Sequence, residues 1–282
     1  MHEGAPGVFA GLFPERRPVK VVDVGAARFT DTREPYLAAA RAGRLEVVGF
    51  EARDEARAGA PDGARWTIHE AVIGAGGPAQ LRVCAQPGMS SLREPSPAIC
   101  ADFQGFDEGL EVIERRKVTT TALDDLEAAR DADLIAIDVQ GAEADVLAGA
   151  HRTLSCAVAV EIELQIIEQY QGQPDWIDLG AGLRDLGFIL HAVLGYGSRP
   201  PRSILVEDET APGSQWLWAD ALFIRAPQTW RSLAPAKLEA LAILLGDIYG
   251  APDMALHALS FHRDGDRLMP IAIQAHKDAA QL

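Results

Sequence analysis

The sequence predicts an α/β domain built on a doubly wound, mostly parallel β-sheet. Short apolar runs rich in β-branched residues recur along the chain, and helical stretches separate several of them. This alternation of strand, helix and strand predicts parallel pairing through right-handed crossovers. The chain has 282 residues, of which 48% are hydrophobic, so it can bury a core without disulfides or a structural metal.

The predicted elements follow one another from residue 19. In order, we expect strands at 19–24, 45–50 and 66–73 with a helix at 34–42, strands at 81–85 and 134–138, a helix at 143–154, and strands at 158–164, 188–193 and 216–224. The last strand carries apolar pairs on either side of Asp220, a pattern that also fits an antiparallel strand at or near the sheet edge.

The predicted domain organisation has three parts. Residues 19–226 form the main domain, with an insertion near 75–117 where Gly-Gly-Pro interrupts the alternation. Residues 1–18 form an N-terminal extension. Residues 227–282 form a helical C-terminal extension, in which leucine and alanine recur at helix spacing. The sequence assigns no role to either extension.

Composition and charge exclude some classes of function. The formal net charge of −15 opposes binding to nucleic-acid phosphates or anionic lipids, so we expect neither nucleic acid nor a membrane as a partner. No apolar run reaches the ~18 residues of a membrane span, and the first residues do not resemble a secretory signal. Cys84, Cys100 and Cys156 form no Cys-x-x-Cys pair, which fits reduced thiols. We therefore expect a cytoplasmic protein.

A glycine turn, Asp23-Val24-Gly25-Ala26, follows the first strand. In open parallel sheets, ligands bind beyond the carboxyl ends of the strands, where a glycine lets the backbone approach them closely. A tight turn without a ligand explains Gly25 equally well. Because the turn lacks the further glycines of Gly-x-Gly-x-x-Gly, it disfavours NAD and FAD and suits a nucleoside without phosphates better.

Glu51 ends the second strand, 26 residues after Gly25. A carboxylate at this position can accept hydrogen bonds from both hydroxyls of a ribose. The alternative is a solvated surface glutamate, since glutamate is mostly exposed in proteins. The buried run that precedes Glu51 favours the ligand-binding interpretation.

Two further groups of carboxylates follow buried runs. Asp138 ends the strand at 134–138, where it would face a ligand beside the sheet, and Glu143 begins the next helix. Glu143 is explained equally well as a residue that stabilises the helix N-terminus. Glu161 and Glu163 lie on one face of their strand, because side chains alternate along a strand. At least one of them must face a cleft, pair with a base, or lie where the sheet is uncovered.

Several short motifs occur together in order. They are VVDVGA at 21–26, FEA at 50–52, SSL at 90–92, TTTALDDL at 119–126, IDVQGAE at 137–143, VEIEL at 160–164 and DALFIR at 220–225. Together they resemble the FkbM family of S-adenosylmethionine-dependent methyltransferases, over residues 19–225. The most specific part is IDVQGAE followed by VLAGA, because many Rossmann-like proteins share the glycine turn.

The resemblance implies a class I methyltransferase fold, which is Rossmann-like with seven strands and an antiparallel last strand. It also implies S-adenosylmethionine as cofactor and O-methylation of a sugar or natural-product hydroxyl. By position, it implies cofactor contacts from Asp23, Gly25 and Ala26 at the methionine part, from Glu51 and Ala52 at the ribose, and from Glu70, Ala71 and Val72 at the adenine. It places Asp138 at the junction of cofactor and acceptor, and we expect substrate contacts from Ser91, Gln140 and Glu161.

The first loop departs from the commoner family pattern, Asp-Val-Gly-Ala-Asn-x-Gly. Ala27 stands in place of the asparagine and Phe29 in place of the second glycine. Arg28, between them, is a candidate to meet the methionine carboxylate, with a surface position as the alternative.

A general base would assist transfer to an alcohol, because a protonated hydroxyl is a poor nucleophile. The candidates are Asp138, Glu161, His69 and His191. We rank Asp138 first and leave its role open between base, hydrogen-bond orienter of the acceptor and ligand of an unpredicted cation. We expect no metal site, because the strand ends offer no dense acidic cluster beyond Asp138 and Glu161.

The expected partner is a small-molecule or saccharide acceptor. The sequence leaves the oligomeric state open, with a homodimer as one option. Two other functions remain at this point: a binding module that kept the sheet without the chemistry, and a nucleotide-dependent oxidoreductase, which the missing glycines disfavour.

Overall fold

The computed structural model describes residues 7–26, 37–52 and 65–279. The strands are β1 (Val19–Val24), β2 (Leu45–Glu51), β3 (Arg65–Glu70), β4 (Val72–Ile73), β5 (Gly77–Cys84), β6 (Val112–Thr121), β7 (Leu134–Ile137), β8 (Ala159–Gln165), β9 (Phe188–Ser198) and β10 (Trp216–Arg225). The α-helices are α1 (Leu37–Arg41), α2 (Pro97–Asp102), α3 (Glu143–Ala148), α4 (His151–Cys156), α5 (Trp176–Asp185), α6 (Pro235–Ile243), α7 (Pro252–Leu259) and α8 (Gly265–Ala279).

Seven strands form the central sheet, in the order β3-β2-β1-β7-β8-β10-β9. β1 pairs in parallel with β2 on one side and with β7 on the other, whereas β10 runs antiparallel to both β8 and β9. The chain order therefore reverses between β1 and β7, which is where a doubly wound sheet opens a crevice for a ligand. The predicted Rossmann-like, mostly parallel sheet is confirmed.

The central strands are buried because both faces of the sheet are covered. Val21 and Val47 face one core, which they share with Leu241 of α6 and other side chains of the C-terminal helices. Val22 and Val48 face the other core, together with side chains of α3, α4 and α5. Burial on both faces explains the almost continuous apolar sequence of β1 and β2.

The segments on either side of the predicted main domain pack against the first of these cores. Residues 227–279 are largely helical, and several of their leucines are fully buried. The Asp247 carboxylate accepts hydrogen bonds from the backbone N–H groups of Phe9 (3.0 Å) and Ala10 (2.8 Å). The C-terminal helices therefore hold the described part of the N-terminal segment against the sheet. None of the described helices is both long and apolar enough to cross a bilayer.

The single strand predicted at 66–73 is wrong. The chain leaves the central sheet after Glu70, and β4 begins two residues later in a second sheet of order β4-β6-β5. This small sheet belongs to the insertion. The strand predicted at 81–85 corresponds to the C-terminal half of β5 and extends one residue beyond it. β6, which no sequence pattern predicted, pairs antiparallel with β5 and extends the insertion to Thr121. Its charged stretch lacks a clear apolar alternation, so only its pairing identifies it as a strand.

The single helix predicted at 143–154 is also wrong, because it breaks into α3 and α4 around Gly149. Asp124 starts the second helix: its carboxylate accepts hydrogen bonds from the backbone N–H groups of Arg152 (2.9 Å) and Thr153 (2.8 Å). The backbone N–H of Asp124 also donates to the Gly149 carbonyl (3.0 Å). Of the helix predicted at 34–42, the structure describes only α1. Ala27, Arg28 and Phe29 lie outside the described residues.

Candidate active site

A cavity opens where the carboxyl ends of β1, β2 and β7 meet the insertion. Its described lining consists of Val24, Gly25, Phe50, Glu51, Ala52, Ala71, Val72, Ile73, Leu81, Pro87, Gly88, Ser90, Ser91, Leu92, Asp138, Val139 and Gln140. The three strand tips singled out in the sequence thus converge on one cavity.

Gly25 lies where the backbone after β1 closely approaches the backbone after β7. Its φ of +85° lies in the left-handed region, and a Cβ there would come within 1.8 Å of the Asp138 carbonyl oxygen. The backbone N–H groups of Gly25 (3.0 Å) and Ala26 (3.2 Å) both donate to the Phe50 carbonyl. The glycine therefore permits both the turn and the close approach of the strand ends, and it also faces the cavity.

Glu51 lies in the cavity wall and not on the open surface, with only 4% of its surface exposed. The small or apolar side chains of Ala52, Ala71 and Val72 line the cavity close to it. This placement argues against the alternative of a solvated surface glutamate. A buried carboxylate beside apolar walls can accept hydrogen bonds from hydroxyls of a ligand whose ring packs on those walls.

The turn after β7 presents Asp138 and Gln140 to the cavity. Gln140 has a φ of +55°, which is uncommon for a residue other than glycine. Glu143 stabilises the turn from below, since its Oε1 accepts hydrogen bonds from the backbone N–H groups of Val139 (3.2 Å) and Gly141 (3.0 Å). Burial, with a smaller contribution from the Asp138 charge, raises the pKa of Glu143 to about 7. Glu143 therefore does more than begin the helix, although it does not line the cavity.

Asp138 lines the cavity and is exposed there, but nearby protein atoms partly desolvate its carboxyl group. This desolvation raises the pKa of the Asp138 carboxyl, and a hydrogen bond from Gln140 partly opposes the effect. The Gln140 Nε2 lies 2.6 Å from Asp138 Oδ1 and 3.1 Å from Glu163 Oε2. Its Oε1 faces the Tyr170 hydroxyl at 3.0 Å. Gln140 was predicted to contact substrate, but all these polar atoms already have protein partners.

Ser91 reaches the cavity from the insertion. Its hydroxyl donates to the Gln140 carbonyl (2.6 Å) and accepts from the backbone N–H of Arg93 (2.9 Å). Ser91 also bridges to Arg82 of β5 through two backbone hydrogen bonds. These contacts hold the segment 87–92 over the cavity, so the insertion forms part of its wall.

Four residues of the predicted site do not line the cavity. Asp23, which is buried, lies on the opposite side of its strand from Val24, and Ala26 is buried behind the glycine turn. Glu70 ends β3 at the exposed edge. Glu161 accepts a 2.6 Å hydrogen bond from the Tyr249 hydroxyl of the C-terminal segment. Their contacts with cofactor or substrate stay predictions, because the described lining of the cavity does not include them.

The two histidine candidates are also outside the cavity. The ring of His69 stacks on Phe50, with 5.6 Å between ring centroids. His191 lies on the edge strand β9, where burial lowers its pKa against a weaker opposing effect of Asp253. Among the residues with described positions, no three His, Cys, Asp or Glu side chains form a group that could hold a metal ion.

Two residues that the sequence did not assign to the site contribute to its geometry. Tyr170 packs against Gly141 and its hydroxyl reaches Gln140, and Glu163 binds the Gln140 amide. The alternation of β8 signalled Glu163, because it shares a face with Glu161. No sequence signal marked Tyr170, which lies in a loop after β8.

Comparison with solved structures gives remote likenesses. A TehB-like SAM-dependent methyltransferase from Corynebacterium glutamicum is 16% identical, with 78% of this chain and 88% of that chain covered and a TM-score of 0.34. A variant of a 16S rRNA (adenine(1408)-N(1))-methyltransferase from Catenulisporales acidiphilia, crystallised with SAM, is also 16% identical, with 77% and 90% covered and a TM-score of 0.33. At these TM-scores, neither likeness is evidence of a shared function.

The family comparison is more informative. None of the curated protein sequences matches the chain. The model of the methyltransferase FkbM domain matches residues 23–190, which is more than half of the chain and includes every described residue that lines the cavity. The chain belongs to the FkbM-domain family of S-adenosylmethionine-dependent methyltransferases.

Proposed function

We propose that the cavity binds S-adenosylmethionine and that the enzyme methylates a hydroxyl oxygen of a sugar or another small natural product. One observation carries the proposal: Gly25, Glu51 and Asp138, from three different strand ends, line the same cavity. The binding site for the cofactor would lie between Gly25 and Val72, and the acceptor would enter beside Asp138.

The chemistry of the lining fits this cofactor. Glu51 would accept hydrogen bonds from the ribose hydroxyls, and Ala52, Ala71 and Val72 would pack against the adenine. Of the described lining residues, Glu51 and Asp138 are the charged ones, and none is Lys or Arg. A negatively charged lining favours a sulfonium cation and disfavours the pyrophosphate of NAD. This argues against the oxidoreductase alternative.

The chain's own residues would orient the acceptor and receive its proton. When bound, S-adenosylmethionine supplies an electrophilic methyl carbon whose leaving group is the neutral thioether sulfur. Asp138 would accept the proton of the acceptor hydroxyl while the oxygen forms its bond to that carbon. The raised pKa of Asp138 makes it a stronger base than an ordinary aspartate. The segment 87–92 would exclude water, and the rigid turn at Gln140 would keep Asp138 aligned.

Calorimetry tests the cofactor part of the proposal. We expect S-adenosylmethionine and S-adenosylhomocysteine to bind with micromolar affinity and NADH not to bind. NADH binding without S-adenosylhomocysteine binding would favour the oxidoreductase. Binding of none of the three would favour a non-catalytic module.

A second experiment tests the acceptor class. The enzyme is incubated with methyl-labelled S-adenosylmethionine and a panel of hydroxylated sugars, other small alcohols, amines and RNA, and the labelled products are identified by mass spectrometry and NMR. We expect methyl ethers only, and no labelled RNA because the chain carries a net charge of −15. Asp138→Asn should keep its S-adenosylhomocysteine affinity and lose ~10²–10⁴-fold in rate. Labelled amines or RNA would refute the O-methylation proposal.

A further inference from the structure

The side-chain amide of Gln140 joins two carboxyl groups from different strands. Its Nε2 contacts Asp138 Oδ1 at the cavity and Glu163 Oε2 behind it, at 2.6 and 3.1 Å. An amide nitrogen has two hydrogens, so these contacts use both of them. Asp138 and Glu163 are therefore held in one arrangement by the same group, although they do not hydrogen-bond to each other.

Glu163 is itself held by a second hydrogen bond, on the side away from the cavity. It is 7% exposed, and its Oε2 accepts a second hydrogen bond from Gln165 Nε2 at 2.6 Å. The Gln165 Oε1 in turn accepts a hydrogen bond from Gln169. Glu163 does not line the cavity, so these contacts cannot serve a ligand directly. They connect the Asp138 turn to the buried interior of β8 and the loop that follows.

The contacts of the Gln140 side chain help to hold the backbone of the turn in its conformation. Gln140 has a φ of +55°, in the left-handed region, where residues other than glycine are energetically disfavoured. Such a conformation persists where surrounding contacts enforce it, and here Asp138, Glu163 and Tyr170 all contact the Gln140 side chain. Loss of the Glu163 contact would release one side of this arrangement and let Asp138 move.

We propose that Glu163 is a positioning residue for methyl transfer, which holds the Asp138 carboxylate at the cavity through the side-chain amide of Gln140. The inference rests on the function proposed above. It assigns Glu163 no contact with cofactor or acceptor. Its effect should therefore appear in the rate of transfer and not in the affinity for the cofactor.

The charges around the pair determine which carboxyl is ionised. The groups that face Glu163 are Asp138, Glu143 of α3 and Asp220 of β10, all acidic, together with the Tyr170 hydroxyl. Burial, and then the charges of these three acids, raise the pKa of Glu163 well above its usual range. Burial likewise raises the pKa of Asp220 to about 6, with a further contribution from Asp138. Asp138 should therefore ionise at a lower pH than Glu163, because the Asp138 charge is one of the causes that raise the Glu163 pKa.

Kinetics of three variants test the positioning role. In Glu163→Ala we expect kcat to fall by about ten- to a hundredfold, because a small misplacement of a catalytic group has an effect of this size. Glu163→Gln should restore the rate, since its amide oxygen can still accept from Gln140. Glu168→Gln, an exposed site in the loop after β8, is the matched control. All three should bind S-adenosylhomocysteine like the wild type. A folded Glu163→Ala enzyme with wild-type kcat, or equal losses in Glu163→Ala and Glu163→Gln, would overturn the proposal.

A second measurement tests the coupling between Glu163 and Asp138 without an acceptor substrate and without enzyme kinetics. Carboxyl carbons of wild type and Asp138→Asn are titrated by NMR in the presence of S-adenosylhomocysteine. If Glu163 faces the Asp138 charge across the Gln140 amide, Asp138→Asn lowers the pKa of Glu163. An unchanged Glu163 titration refutes the coupling, even if Glu163→Ala does not fold. Failure of the proposed function has a different signature, because wild-type protein would then not bind S-adenosylhomocysteine at all.

Discussion

The hydroxyl of Tyr249 donates a 2.6 Å hydrogen bond to Oε2 of Glu161, which joins the C-terminal segment to a central strand of the sheet. Burial raises the pKa of Tyr249, and the charges of Glu161 and Asp23 add to this effect. We expect Tyr249→Phe to lower the free energy of unfolding by about 1.5–3 kcal/mol, the usual range for a hydrogen bond to a charged group. Urea unfolding measures the change.

Tyr196→Phe is the control for that variant. The Tyr196 ring is exposed and stacks on Trp216, so loss of its hydroxyl should change the unfolding free energy by less than about 0.5 kcal/mol. Equal effects of the two substitutions would mean that the Glu161 hydrogen bond does not stabilise the fold.

Glu51 should determine cofactor affinity, because it is the buried carboxylate in the cavity wall. We expect Glu51→Ala to weaken S-adenosylhomocysteine binding by about 1–3 kcal/mol, the range for losing hydrogen bonds to a charged acceptor, while the protein stays folded. Glu46→Ala, at the other end of β2, is the matched control and should bind normally. Calorimetry measures both affinities, and equal affinity in folded Glu51→Ala and wild type would remove Glu51 from the site.

Asp133 anchors both terminal segments at the opposite end of the sheet from the cavity. Its fully buried carboxylate pairs with Lys237 (2.7 Å), Arg17 (2.9 Å) and Arg16 (3.3 Å), and it accepts a backbone hydrogen bond from Lys20 (3.0 Å). Breaking a buried ion pair typically costs about 3–5 kcal/mol, because the remaining charges lose their partner. We expect Asp133→Asn to destabilise the fold by that amount. Glu127→Gln, in an exposed pair with Arg130, should cost under about 1 kcal/mol.

The same carboxylate predicts how stability depends on pH. Burial alone would raise the pKa of Asp133, but the charge and hydrogen bond of Lys237, followed by Arg16 and the Lys20 N–H, outweigh it and lower the pKa. The folded state therefore binds fewer protons than the unfolded state, in which the pKa is about 3.9. Its contribution to stability is complete above about pH 4 and is lost as the pH falls through the folded-state pKa. Thermal unfolding measured between pH 2 and 6 should show that the Tm falls less on acidification in Asp133→Asn than in wild type.

Gly149 should be intolerant of any side chain. A Cβ at this position would come within 2.2 Å of the Gly74 carbonyl oxygen, where the insertion crosses the break between α3 and α4. We expect Gly149→Ala to destabilise the protein by about 1–3 kcal/mol through overpacking. Gly182→Ala is the control, because a Cβ there meets no atom within 4 Å in the interior of α5. Alanine should stabilise that helix by up to about 1 kcal/mol. Chemical unfolding measures both changes. If the two variants changed the free energy of unfolding in the same direction, this account would be contradicted.

The parts of the fold that were predicted correctly depend on local patterns. β1, β2, β7 and β8 are short apolar runs buried on both faces, so hydrophobicity alone reveals them. The breaks at Ala71 and Gly149 have a different origin. Each occurs where a distant segment, β6 or the chain at Gly74, contacts the backbone, and no local pattern records that contact.

The candidate site divides in the same way. Gly25, Glu51 and Asp138 could be found from sequence because each follows a buried strand, and the carboxyl ends of parallel strands lie at one edge of a sheet. Glu161 was expected to face substrate, but Tyr249 from 88 residues further along the chain binds it instead. Glu163, on the same strand face, reaches the Asp138 turn through Gln140.

The sequence by itself determined the central strands β1, β2, β7 and β8, the chemical type of the residues at their ends, and the resemblance to a methyltransferase family. These follow from hydrophobic periodicity and from motifs that span a few residues. Only the tertiary structure decided which carboxylates face the cavity, which are held by tyrosine or glutamine partners, and how the terminal segments cover the sheet. Those outcomes depend on contacts between residues far apart in the chain, and burial and distance in three dimensions set their energies.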